Sequence, residues 1–111
     1  MNTDTALDAL RALGQISRLA AFRALVEAGP DGLAVGALRE QLDLPPATLS
    51  AHLNVLRAAG LVADEREGRV IRVRADFGQM NALIVYLTEN CCAGAGCTAT
   101  GPALCSPTAS N

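Results

Sequence analysis

The stretch Pro46-Ala47-Thr48-Leu49-Ser50-Ala51-His52-Leu53-Asn54-Val55-Leu56-Arg57-Ala58-Ala59-Gly60 decides the fold. Leu49, Leu53 and Leu56 recur at helical spacing and mark one inward face. Pro46 suits a first helical turn, where its missing N–H has no partner to lose. Gly60 supplies a C-terminal stop. A helix is therefore predicted from about Pro46 to Ala59. With the leucines inward, its outward face is Ala47, Thr48, Ser50 and Ala51, with His52 and Asn54 at the edge. These side chains are small or polar and permit close approach to another surface.

Upstream, Leu7, Leu10 and Leu13 repeat at helical spacing, with Thr3 or Thr5 as cap and Gly14 as stop. A second helix opens on Ser17 as N-cap, carries Leu19, Phe22, Leu25 and Val26, and ends at Gly29-Pro30. After the turn Asp31-Gly32 comes a short third helix with Val35, Leu38 and Leu42 inward, which Leu44-Pro45-Pro46 breaks.

Downstream, two strands are predicted, roughly Leu61–Arg66 and Arg69–Ala75, joined by Glu67-Gly68 as a two-residue turn. Ile71 and Val73 take one face of the second strand, Arg72 and Arg74 the other. A last helix runs from Asp76, a good N-cap, to about Asn90, with Phe77, Met80, Leu83, Ile84 and Leu87 as its apolar stripe. The chain is thus mainly α with a β-hairpin, in the order α-α-α-α-β-β-α. Residues 1–90 read as one domain and 91–111 as a cysteine-containing tail with little apolar bulk.

That order is the pattern of a winged helix-turn-helix. The major groove of B-DNA admits one helix, whose N-terminal half reaches base edges. The net charge of −2 opposes nucleic-acid binding only until it is mapped. All nine basic residues are Arg, and Arg57, Arg66, Arg69, Arg72 and Arg74 fall within one 18-residue stretch. That stretch holds three acids, so it is locally positive, and local charge decides where a phosphate backbone can sit. The expected DNA-binding set is Ala47, Thr48, Ser50, Ala51, His52, Asn54, Arg57, Arg66, Arg69, Arg72 and Arg74. Taken alone, an Arg-rich hairpin is as readily a solvated surface, and a lone His is more often structural than a contact.

Phe22, Phe77 and Tyr86 are the only aromatic residues, which argues against an RNA-binding or single-strand-binding face built on stacked bases. No apolar run suggests a membrane span, and Met1 to Asp8 carries two Asp and no basic residue, unlike a signal peptide. A cytoplasmic protein is expected. So is a homodimer, because the apolar helices at the two chain ends exceed what the central motif can cover.

The run from Thr48 to Val62 resembles the recognition-helix signature of the ArsR/SmtB family of metalloregulators. Arg66-Glu67-Gly68-Arg69 resembles its wing tip, and Ser17-Arg18-Leu19 the start of its second helix. The resemblance covers about residues 7 to 90. It implies a dimeric repressor joined through its first and last helices, whose DNA affinity falls when a metal binds, and no enzyme. Two family features are missing. Leu33-Ala34-Val35-Gly36-Ala37-Leu38 holds no thiol where founding arsenic sensors carry Cys-Val-Cys. The Asp and His pairs of the zinc-type site on the last helix are also absent, since His52 is the only histidine.

The inducer site is therefore expected among Cys91, Cys92, Cys97 and Cys105, all in the tail. Clustered cysteines in a reducing compartment suggest metal or redox chemistry. Cys91, Cys92 and Cys97, with Ala93-Gly94-Ala95-Gly96 between, can converge as three thiolates on trivalent arsenic or antimony. Some family members resemble this pattern and respond to arsenite. A Cys₄ zinc site including Cys105 and redox sensing are the alternatives. A thiol redox enzyme is the rival of another class, weakened by the strain of bridging adjacent cysteines and by the absence of Cys-x-x-Cys. No catalytic cofactor is expected.

Overall fold

The computed structural model describes residues 1–91. In chain order it contains α1 (Thr3–Leu13), α2 (Ile16–Ala28), β1 (Leu33–Ala34), α3 (Val35–Leu42), α4 (Pro46–Ala58), β2 (Val62–Glu67), β3 (Val70–Ala75) and α5 (Phe77–Thr88). The predicted order holds, with a short strand added before α3. The three strands form an antiparallel sheet in the order β1-β3-β2.

Leu25, Leu38, Leu49, Leu53, Leu56, Leu61 and Val73 are fully buried, one or more from each of α2, α3, α4 and β3. Each such side chain contributes roughly 1.5–3 kcal/mol of hydrophobic stabilisation. Leu49, Leu53 and Leu56 therefore anchor α4 by the face that its spacing predicted.

The helix ends explain the angles between elements. Pro45, extended at ψ 148°, caps α4, and Pro46 stands in its first turn. Asp43, left-handed at φ 55°, closes α3, so Asp43 to Pro45 is the turn of the helix-turn-helix. At the other end of α4, Gly60 takes φ 76°. The Gly60 amide donates to the Arg57 carbonyl, and the Leu61 amide to that of Leu56. This paired closure needs a left-handed residue, and it turns the chain straight into β2.

Several local expectations are corrected. Asn2 caps α1 through its side chain, not Thr3 or Thr5, and Gln15 caps α2, not Ser17. The buried face of α1, which the sequence reading missed, is Ala6, Ala9 and Ala12; Leu7 and Leu10, on the stripe that the central motif was not expected to cover, are exposed. Leu19 is largely exposed, and Phe22 and Leu25 carry the α2 core contact. The hairpin turn is Gly68-Arg69, one residue later than predicted, because Glu67 and Val70 form the last strand pair. Asp76 caps α5 as expected, accepting from the Gln79 amide, but the helix ends at Thr88.

β1 exists because β3 offers an open edge: Leu33 pairs with Val73 and Ala34 with Arg72. Gly32, just before it, is buried at φ 68°, and an added Cβ would strike the Val73 carbonyl of β3. Main chain cannot swing aside as a side chain does. We expect Gly32→Ala to cost about 2 kcal/mol in urea unfolding, from left-handed strain and overpacking together.

Candidate nucleic-acid interface

α4 is held by its leucines so that the opposite face meets solvent. Ala47, Thr48, Ser50, Ala51 and Asn54 are exposed, and His52 is half-buried. The first turn bears no acidic residue, and no side chain caps it. The Ala47 and Thr48 amides therefore point outward at the positive end of the helix, an arrangement that favours an anion.

The hairpin beside α4 sorts its arginines by strand register. Glu65 lies opposite Arg72, and Ala63 opposite Arg74. On that face the charges cancel diagonally. Arg74 donates from Nη1 to Glu65 Oε1 at 3.0 Å, and Arg72 lies 3.9 Å from Glu67. Arg72 also donates to the carbonyls of Asp31 and Gly32, both at 3.2 Å, and so braces the wing against the turn before β1.

On the other face, Val62, Val73 and Ala75 enter the core. Further along it, Asp64 receives the Arg57 Nε at 3.0 Å on one carboxylate oxygen and 2.9 Å on the other. Arg57 Nη1 donates to Asn54 Oδ1 at 2.7 Å. Arg66, on this face, and Arg69, at the turn, are exposed. Among the described residues neither has an ion pair or side-chain hydrogen bond within the chain.

The eleven residues singled out in the sequence thus divide. Ala47, Thr48, Ser50 and Ala51 form one open helix face, with Arg66 and Arg69 on the neighbouring hairpin; Asn54 is exposed next along that face and bonded to Arg57, and His52 is half-buried. Arg57, Arg72 and Arg74 are engaged within the fold. Arg39 on α3 was not singled out; it too is exposed and lacks a partner among the described residues. Its only sequence signal was a basic residue in the last turn before Asp43.

Cys91 is half-buried, three residues beyond the end of α5. Cys92, Cys97 and Cys105 lie outside the described residues, so the predicted thiolate site and tail do as well. Among the described residues no group of three His, Cys, Asp or Glu is placed to hold a metal ion. None of the described helices is long and apolar enough to cross a membrane.

The profile of a helix-turn-helix domain matches residues 7–65. Among solved structures, the chain is similar to NolR from Sinorhizobium fredii, with 30% identity over 78% of this chain and 83% of that one and a TM-score of 0.63. It is similar to an ArsR-like transcriptional regulator from Rhodococcus sp. RHA1, with 28% identity over 76% of each chain and a TM-score of 0.65. It is also similar to HlyU from Vibrio cholerae, with 28% identity over 79% of this chain and 95% of that one and a TM-score of 0.62. No curated protein matches it in sequence.

Proposed function

The chain belongs to the ArsR/SmtB family of winged helix-turn-helix transcriptional regulators, and from that premise we propose that it is a homodimeric repressor released from its operator by trivalent arsenic or antimony. It is a DNA-binding regulator and not an enzyme. The observation that carries the operator reading is the open face of α4 beside two arginines on the wing, Arg66 and Arg69, that have no ion pair among the described residues. Thr48 and Ser50 can bond a base or a phosphate, and Ala47 and Ala51 can touch a thymine methyl. The two arginines neutralise backbone phosphate.

The dimer reading rests on α1 and α5. Leu7, Leu10, Ile84, Val85 and Leu87 are all at least 39% exposed in the single chain. Two-fold pairing of these faces covers each of them twice.

The metalloid reading rests on the donor set. Arsenite at neutral pH is uncharged As(OH)₃. Three thiols displace three hydroxides as three waters and leave a neutral As(SR)₃. Residues 91–111 contain no charged side chain, which suits a neutral product. Cys91, Cys92 and Cys97 would supply the thiolates at the end of α5. Closure there affects DNA only if the DNA-incompetent dimer takes up the metalloid better. A link to α4 is at hand, since Gln79 of α5 donates from Nε2 to the Ala59 carbonyl at 3.4 Å.

The test is fluorescence anisotropy of a labelled duplex selected by the full-length protein. Arsenite should release it; release by mild oxidant, or binding that requires zinc, would overturn the metalloid reading. Arg66→Ala and Arg69→Ala should each weaken binding to all duplexes alike. Each should lower the slope of log affinity against log salt by about one unit per lost phosphate contact. Thr48→Ala and Ser50→Ala should instead alter preference among duplexes. An Arg variant that changes preference with its salt slope intact would contradict the wing assignment.

A further inference from the structure

We infer that Asp64, Arg57 and Asn54 form a relay that fixes the orientation of the Asn54 amide on the recognition helix. Arg57 is then a positioning residue for sequence readout and not a phosphate contact. The inference rests on the reading that α4 enters the major groove.

The geometry is a two-ended clamp. One end of the Arg57 guanidinium holds the Asp64 carboxylate of β2 through Nε, at 2.9 and 3.0 Å. The other end donates from Nη1 to Asn54 Oδ1 at 2.7 Å, one helical turn back on α4. Arginine has five donors and no acceptor. The Asn54 atom that faces it must therefore be the amide oxygen, and Nδ2 is turned the other way. Asn54 itself is exposed and continues the stripe of Ala47, Ser50 and Ala51 along the helix.

Two consequences follow. The Arg57 charge is neutralised where it stands, so it adds little to phosphate attraction. An unpinned asparagine can rotate its amide and offer either a donor or an acceptor to a base edge. Pinned by Arg57, Asn54 offers its NH₂ group outward and suits a base edge rich in acceptors, such as guanine O6 and N7 or thymine O4. An exposed ion pair of this kind adds little to stability. Its effect here is to preorganise a reading group and to tie the wing to the recognition helix at that group.

The test uses the full-length protein and the duplex that the wild type selects from a random pool. Affinity is measured for that duplex and all its single base-pair variants across a range of salt, for Arg57→Gln, Arg57→Lys, Asn54→Ala and Asn54→Ala with Arg57→Gln. The relay requires Arg57→Gln to keep the wild-type salt slope. It must flatten preference at one base-pair position by roughly fivefold or more, the lower end of a good base contact. Asn54→Ala should flatten the same position, and the double variant should be no flatter. Arg57→Lys keeps the charge but loses the fork, so it should flatten that position too, and it serves if the Gln variant is unstable. A slope lower by about one unit in Arg57→Gln, with preference intact and Lys restoring affinity, would make Arg57 a phosphate contact and overturn the relay. Failure of the wild type to select any duplex would instead strike at the DNA-binding reading itself.

Discussion

Cys91→Ser, Cys92→Ser and Cys97→Ser are each expected to bind the operator as wild type does and to keep it at arsenite concentrations that release the wild type. The effect should be large because in the proposed site the three thiolates would act as one unit. With two, arsenic would retain a hydroxide and be held by one bond fewer, and without Cys97 the segment from Cys91 to Cys97 would no longer be closed. A coupling of about 1–3 kcal/mol between inducer and operator corresponds to a 5- to 150-fold loss of affinity in the wild type. That whole factor should vanish in each variant. Cys105→Ser lies beyond the three-thiol pattern and should release normally. Anisotropy of the labelled operator reads all of these. Full release of Cys97→Ser at the wild-type arsenite concentration would refute the three-thiol site.

The second large effect is expected on the proposed dimer face. Ile84 is 45% exposed, Val85 61% and Leu87 56% on α5, and Leu10 is 40% exposed on α1. In the protomer these side chains have little to lose, so Ile84→Glu and Leu10→Glu should leave it folded by far-UV circular dichroism. Across a two-fold axis each substitution would bury two uncompensated carboxylates, at several kcal/mol apiece. Sedimentation at micromolar concentration should show a monomer for the double variant. Operator affinity should fall by roughly a hundredfold or more, because a monomer grips one half-site where the dimer grips two. A double variant that still sediments as a dimer would place the interface elsewhere.

Much of the framework was legible from local signals. α4 carried both a periodic face and punctuation at its two ends, Pro46 and Gly60. Each signal rests on backbone chemistry that tertiary packing seldom overrides. The alternation of Ile71 and Val73 with Arg72 and Arg74 likewise follows from the pleat. Asp76 was identifiable as a cap because little else nearby competes for that place. At the first helix Asn2, Thr3 and Thr5 all compete, and only the arrangement of the chain selects Asn2. β1 left no trace in the sequence because two residues are too few to show an alternation; the free edge of β3 makes it a strand.

The residues themselves determined the helix-turn-helix, its wing and the confinement of every thiol to the tail. The tertiary structure decided which of two equally spaced faces of α1 goes inward and which arginines remain available. Ala6-Ala9-Ala12 and Leu7-Leu10-Leu13 share one period, and hydropathy favours the leucines as core. The fold buries the alanines, because small side chains let α1 lie close against α2 and α4, and it leaves Leu7 and Leu10 outward. The arginines look alike along the chain, but strand register sets Arg72 and Arg74 beside glutamates, and the approach of β2 to α4 sets Arg57 on Asp64. Among the described residues Arg66 and Arg69 form no such pair. That difference arises from distances across the sheet, which residue order alone does not reveal.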